Sequence, residues 1–264
     1  MGKGVLMANF GECGVYERIA ASGVTDGLAR PGGVALTERA LSLCAFPPGS
    51  RILDVGCGTG TTVEHLNQRF GFFTAGVDPS LPMIAQGHAR NSLLPLVRAA
   101  GEGLPFPDAQ WDGVFAECSL SLSRNPPMFL RECFRVLRDG GRLILNDVYV
   151  RNAEAIPELR ALSMDCCLTG ALSIEELTVK LRDCGFAVST WEDHSAALKQ
   201  FAAQLIFSQG SARSFWCSLT GGEPLDALKI ERAVSRAKPG YFLAIAEKKP
   251  HAGMNPKSDE ELSL

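Results

Sequence analysis

No run in this sequence approaches the roughly 20 apolar residues that cross a bilayer as a helix, so no membrane association is expected. The opening residues, MGKGVLMANFGECG, carry one lysine and no apolar stretch of signal-peptide length, which points to the cytoplasm. Long basic runs are missing and the net charge is −3, which argues against nucleic acid as a partner, because such binding needs a basic footprint. Cysteine is plentiful at nine residues, but the number is odd and no C-x-x-C pair occurs. Neither a zinc ribbon nor a regular disulfide framework follows, so free thiols and no resident metal are expected. A hydrophobic fraction of 46% over 264 residues leaves room for a large core and suits one α/β domain with additions.

What is present centres on RILDVGCGTG, residues 51–60. Arg51 to Val55 is a short apolar run with β-branched Ile52 and Val55, and it reads as a strand. Gly56, Gly58 and Gly60 alternate with Cys57 and Thr59. Thr61 to Phe70 then places Val63, Leu66 and Phe70 on one helical face. A glycine turn between strand and helix lets a ligand approach backbone N–H groups closely. The dinucleotide fingerprint is G-x-G-x-x-G, whereas here Thr61 stands where its last glycine belongs.

Residues 54–60 resemble motif I of the class I S-adenosylmethionine (SAM) dependent methyltransferases, whose usual form is close to DVGCGTG. The resemblance implies an α/β fold: a Rossmann-like sheet of seven strands, mostly parallel with the last antiparallel, helices on both faces and a helical cap. It places SAM as cofactor against Asp54, Gly56, Cys57, Gly58 and Gly60. Asp78, after the strand Thr74 to Val77, is implied to accept both ribose hydroxyls, since a carboxylate can take two O–H donors. Pro79 opens the next helix, to Arg90, and Met83 near its start is an adenine neighbour. The stretch AAGEGLPFPDAQWD, residues 99–112, resembles the GDAEALPFPDGSFD element of the UbiE-like (type 11) methyltransferases. Where that element often has an adenine-binding Asp, Ala100 stands, so Glu102 substitutes or the Gly101 backbone reads the adenine edge. VLRDGGRLIL resembles the LKPGGRLVI element of the same superfamily.

Five segments follow from this reading: an N-terminal lid (1–50), a SAM-binding core (51–193), a helical cap (194–238), the last core strand (239–249) and a disordered tail (250–264). In the lid, Tyr16 is a candidate lid aromatic, Arg30-Pro31-Gly32-Gly33 is a turn, and Thr37 is a helix cap. Further strands are expected at 94–97, 113–118, 142–148, 186–191 and 241–246, and helices at 195–208 and 223–238. Asn125-Pro126-Pro127-Met128 resembles the N-P-P-Y motif of amino-group methyltransferases but lacks its aromatic; it reads instead as an N-cap followed by proline at the first helical position, in a helix ending at Asp139-Gly140-Gly141. Ser173 and Glu176 make a capping box.

Ligands of open parallel sheets bind at the carboxyl ends of the strands, so Cys118, Ser119 and Leu120 are expected to wall the active site and contact SAM or the acceptor. Met164 to Leu172 (MDCCLTGAL) resembles the C-V-G-G-A-L segment of arsenite methyltransferases, with Cys167 at the cysteine position. That resemblance implies a thiophilic alternative in which Cys167 acts with Cys217 and with Cys44 or Cys57. The competing reading makes them small buried hydrophobes. Methyl transfer from a sulfonium needs alignment more than acid–base help, and a base only for a protonated acceptor such as a hydroxyl. His194 is the candidate base, His65 reads as structural, and a small molecule is the expected acceptor.

Overall fold

The computed structural model describes residues 30–162, 164, 166–211, 214–216 and 227–249, together with 16, 17, 19 and 28. Helix α1 (Gly33–Cys44) leads into β1 (Arg51–Val55), α2 (Thr61–Phe70), β2 (Phe73–Asp78), α3 (Leu81–Arg90), β3 (Leu96–Arg98) and β4 (Trp111–Glu117). There follow α4 (Pro126–Val136), β5 (Leu137–Val150), α5 (Ile156–Arg160), β6 (Leu172–Ser173), α6 (Ile174–Asp183), β7 (Phe186–Asp193), α7 (Ser195–Ser208), α8 (Ala227–Ala237) and β8 (Pro239–Lys248).

The sheet runs β3-β2-β1-β4-β5-β8-β7, with the two-residue β6 paired to β5 as an eighth strand beyond the expected seven. Strands β1 to β5 pair in parallel, and β8 is antiparallel to both β5 and β7. Chain order reverses between β1 and β4, so their carboxyl ends form the crevice where such sheets bind ligands.

The central strands are apolar on both faces, as burial by helices on both sides requires. On one face Ile52, Phe115, Ile144, Tyr241 and Ile245 pack with α1, α5, α7 and α8. On the other, Leu53, Val114, Leu143, Leu145 and Phe242 pack with α4 and α6. Among the described residues no helix is long and apolar enough to cross a membrane.

Three local expectations change. Thr37 is not a cap: α1 starts four residues earlier, after Gly32 at φ 78°, and the Thr37 hydroxyl lies inside the fold. The helix expected to reach Asp139 ends at Val136, where the Leu137 N–H bonds to the Cys133 carbonyl and the chain turns extended into β5. The helix expected from Pro79 begins at Leu81, because the Ser80 hydroxyl accepts the Met83 N–H as its cap. The Asn125 and Ser173 caps form as expected, accepting from Met128 N and Glu176 N at 3.1 Å each. The tail from 250 and the 223–226 part of the last expected helix lie outside the described residues.

Candidate cofactor and acceptor site

The glycine turn is fastened to β2: Gly56 N and Cys57 N both donate to the Val77 carbonyl, at 2.8 and 3.0 Å. Two of its glycines do different work. Gly56 has φ 82°, and a Cβ there would stand 2.4 Å from Ser119 Cβ, so the turn and the β4 exit touch. At Gly58, φ 55°, an added Cβ would meet only Met83 Cε, at 3.9 Å, so this side is open for a ligand.

Asp78 closes β2 beside that opening. Its Oδ2 accepts the Gly58 N–H and its Oδ1 the Ser80 N–H, both at 2.8 Å. An ionised carboxylate offers about four acceptor positions, so about two remain for a diol. Burial pushes the Asp78 carboxyl above its usual range, against the pull of the two backbone N–H groups. Asp54, near the end of β1, is buried. Burial pushes it well above the usual carboxylate range, Glu117 adds to this, and Arg30 opposes it.

Arg30, Glu117, Thr37, Thr62 and Asn146 form a buried polar hub that the sequence reading did not find. Arg30 meets Glu117 at 2.8 Å and donates to the Gly33 carbonyl, the Thr37 hydroxyl and the Thr62 hydroxyl. Glu117 also accepts from Thr37 at 3.0 Å and from Asn146 Nδ2 at 2.8 Å. The hub ties the N-terminal segment to α2, β4 and β5. An acid at the carboxyl end of a central strand was the available signal; Arg30 had none beyond its turn.

The other expected cofactor residues divide. Met83 faces the open side of Gly58, while the Pro79 carbonyl accepts from Arg98. Gly101 is packed under Phe129, where a Cβ would come within 2.3 Å of the ring. Glu102 spends Oε1 on the Ser123 hydroxyl and the backbone N–H groups of Arg124 and Asn125. Partial burial pushes its carboxyl up, and those bonds together bring it below the usual value. Ser119 Oγ is buried without a partner among the described residues, beside the glycine turn.

Cys118 sits past β4 at φ 54°, left-handed backbone that a non-glycine residue adopts at a cost of about 1–2 kcal/mol. Its Sγ lies 3.2 Å from the Tyr241 hydroxyl of β8. Cys167 N donates to the Tyr16 hydroxyl at 2.9 Å. The segment carrying Cys167 presses on the β4 exit, where a Cβ on Gly170 would overlap the Ser121 carbonyl. Asp147 anchors the same exit, accepting from Ser121 N at 2.9 Å and Ser121 Oγ at 2.6 Å. Burial pushes the Asp147 carboxyl up to about 6.

The implied thiol set does not assemble. Cys44 packs on α1, with its carbonyl taken by Arg142, and Cys57 Sγ points at Gly76 of β2 within a small cluster with Val63 and Leu96. Cys57 therefore packs in a different cluster from Cys167, Cys44 shares the large cluster that Cys167 packs against, and Cys217 lies outside the described residues. Among the described residues no three His, Cys, Asp or Glu side chains are arranged to hold a metal ion. The His194 ring is paired with Glu192 at 2.9 Å, and its backbone N–H bonds to the Tyr241 carbonyl.

Comparison with known proteins bears on the family and the fold. Residues 53–145 match the family model described as a methyltransferase domain. The chain is 28% identical over 182 residues to demethylmenaquinone methyltransferase of Corynebacterium kroppenstedtii, covering 66% of this chain and 73% of that protein. It is 26% identical over 136 residues to phosphoethanolamine N-methyltransferase 1 of Zea mays, covering 50% of this chain but only 26% of the maize protein, so it spans about a quarter of that relative. Among solved structures, the [4+2]-cyclase SpnF superposes with a TM-score of 0.68 at 25% identity, over 89% of this chain and 93% of that one. Phosphoethanolamine N-methyltransferase 2 of Haemonchus contortus, solved with SAM, superposes with a TM-score of 0.67 at 17% identity, over 95% and 62%.

Proposed function

We propose that this chain, which carries a class I SAM-dependent methyltransferase domain, transfers the methyl group of SAM to a small-molecule acceptor. The observation that carries the reading is the donor set around the open side of Gly58. Asp78 keeps acceptor positions for a ribose diol, and the buried Asp54 carboxylate suits the ammonium of a methionine moiety. Ser119 Oγ offers a further hydrogen bond. The site fits the cofactor because it contains a buried acid, an orphan hydroxyl and a cradle that a side chain would fill.

SAM, when bound, supplies an already activated methyl group. The chain's own part is to orient and to exclude water. Arg30 and Glu117 hold the N-terminal segment against α2 and β4, which supports its role as a lid. We assign the acceptor to the space beside Tyr16 and the described residues of the 194–238 segment. Leu198, Phe201, Leu205, Phe215 and Trp216 of that segment join one apolar cluster with Cys118, Cys166 and Cys167.

Incubating the full chain with methyl-labelled SAM and an extract of the source cell tests this. A labelled small molecule formed in step with S-adenosylhomocysteine supports it, and SAM consumption at the enzyme-free rate refutes it. A second reading, SAM binding without methyl transfer, is favoured by the similarity to a cyclase. It predicts tight SAM binding with no S-adenosylhomocysteine from any extract. Among the described residues no thiol set supports the arsenite alternative.

A further inference from the structure

A buried acid outside the donor site holds the turn that stands between donor and acceptor. Asp147 of β5 is 2% exposed. Its Oδ2 accepts the Ser121 N–H at 2.9 Å, and its Oδ1 accepts the Ser121 hydroxyl at 2.6 Å and the Val148 N–H at 2.7 Å. Two of these bonds come from one residue, Ser121, in the short 3-10 turn Leu120–Leu122 that follows β4. Burial pushes the Asp147 carboxyl up to about 6, and the Ser121 and Val148 bonds oppose that rise, so the group is ionised at neutral pH. Hydrogen bonds to an ionised acceptor are roughly twice as strong as neutral ones.

The same turn touches both sides of the site. Ser119, which opens it, lies against the glycine turn, where a Cβ on Gly56 would stand 2.4 Å from Ser119 Cβ. Ser121 supports the segment leading into β6: a Cβ on Gly170 would come 1.8 Å from the Ser121 carbonyl oxygen, so backbone meets backbone there. That segment supplies Cys166, Cys167 and Leu168 to the apolar cluster assigned to the acceptor. The glycine turn has its own fastenings, to the Val77 carbonyl and the Asp78 carboxylate. The acceptor-side segment rests on Ser121. Packing beneath the turn is incomplete, because a cavity of about 10 Å³ remains between Ser121, Asp147, Leu172, Leu177 and Phe242. That is room for at most about one water. Side chains lining such a void lose contacts on one side, so the carboxylate, more than packing, sets the position of the turn.

Resting on the methyl-transfer reading, we propose that Asp147 is a positioning residue: through Ser121 it fixes the 119–122 turn, and with it the alignment of the acceptor against the methyl group. Its action is indirect. A shift of the turn by about 1 Å takes the acceptor off the line of attack. The donor contacts at Gly58 and Asp78 stay in place.

The test uses the full chain, methyl-labelled SAM and an extract of the source cell, with SAM affinity measured beside the transfer rate by calorimetry. Asp147→Asn keeps the shape of the side chain, but an amide nitrogen cannot accept from the Ser121 or Val148 N–H. At saturating SAM its transfer rate should fall about a hundredfold, the scale of a misplaced reactant. Its Kd for SAM should stay within about threefold of the natural chain, less than a typical hydrogen bond is worth. Ser121→Ala removes the hydroxyl bond and keeps the N–H bond, and should slow transfer about tenfold. The double variant should be no slower than Asp147→Asn alone, since the two residues act as one unit. Val136→Ala is the stability control. It opens the core where the Gln110 N–H bonds to the Val136 carbonyl ahead of β4, at the far end of the sheet, and should lower the melting temperature without slowing transfer.

Undiminished transfer in Asp147→Asn would overturn the proposal. So would a loss of SAM affinity as large as the loss of rate, multiplied effects in the double variant, or equal slowing in Val136→Ala. If Asp147→Asn does not fold, Ser121→Ala decides: slower transfer with SAM affinity kept supports the proposal, and an unchanged rate overturns it. If the natural chain transfers no label, the methyl-transfer reading falls and this proposal with it. If the natural chain transfers label and only the variants depart from these outcomes, this proposal alone falls.

Discussion

Gly58→Ala separates the fold from the ligand site. The substitution places a methyl group at φ 55° in a space whose nearest described atom is Met83 Cε, 3.9 Å away. Within the chain the cost is therefore conformational, about 1–2 kcal/mol for an alanine in left-handed backbone. For a chain of this size that lowers the melting temperature by roughly 2–8 °C. The variant should fold, with an unchanged far-UV spectrum. If the open side of Gly58 receives the donor, the same methyl group removes at least about 1.4 kcal/mol of binding, a tenfold loss in SAM affinity. Gly56→Ala is the contrasting case, because its Cβ would collide with Ser119 at 2.4 Å and the fold itself must shift. Thermal melts with and without SAM, paired with calorimetry, read both effects. A Gly58→Ala chain that binds SAM as tightly as the natural one would refute the placement of the ligand.

Other outcomes follow from the same geometry. Asp78→Asn should weaken SAM by about 1.5–3 kcal/mol, roughly tenfold to a hundredfold, since an amide nitrogen cannot accept from the Gly58 or Ser80 N–H; calorimetry measures it. Asp54 has a raised carboxyl in the folded chain, so its stabilising share is present below the ordinary aspartate range and lost as pH rises through the raised value. Asp54→Asn should thus stabilise the SAM-free chain at neutral pH. It should also remove the weakening of SAM affinity on acidification that comes from protonating Asp54, readable as proton uptake or release in buffers of different ionisation enthalpy. Arg30→Met leaves Glu117 buried and unpaired and should cost about 3–5 kcal/mol, with much of it restored in the Arg30→Met/Glu117→Gln pair, both by denaturant melts.

The sheet was legible because its strands are short apolar runs and its turns carry glycine or a capping residue close in sequence. Asn125, Ser173 and the 51–60 turn act through neighbours a few positions away, and local pattern suffices for them. Arg30 and Glu117 meet only after the N-terminal segment folds across β4, and no local spacing encodes that contact. Thr37 was misread for the same reason: as a helix residue it serves Glu117, a distant partner, where the sequence offered only a cap. The thiols were assigned by order along the chain. Packing sends Cys57 toward Gly76 and brings Cys118, not read as a thiol partner, to Tyr241. The β6 pairing spans two residues, too short for any periodicity.

The central claim is that the turn of residues 56–60 receives SAM. Calorimetric titration of the natural chain with SAM, with NADH as the control, addresses it most directly. The expected result is saturable one-to-one binding of SAM and no heat of binding with NADH. No SAM binding at high micromolar concentration, or saturable binding of NADH in its place, would contradict it.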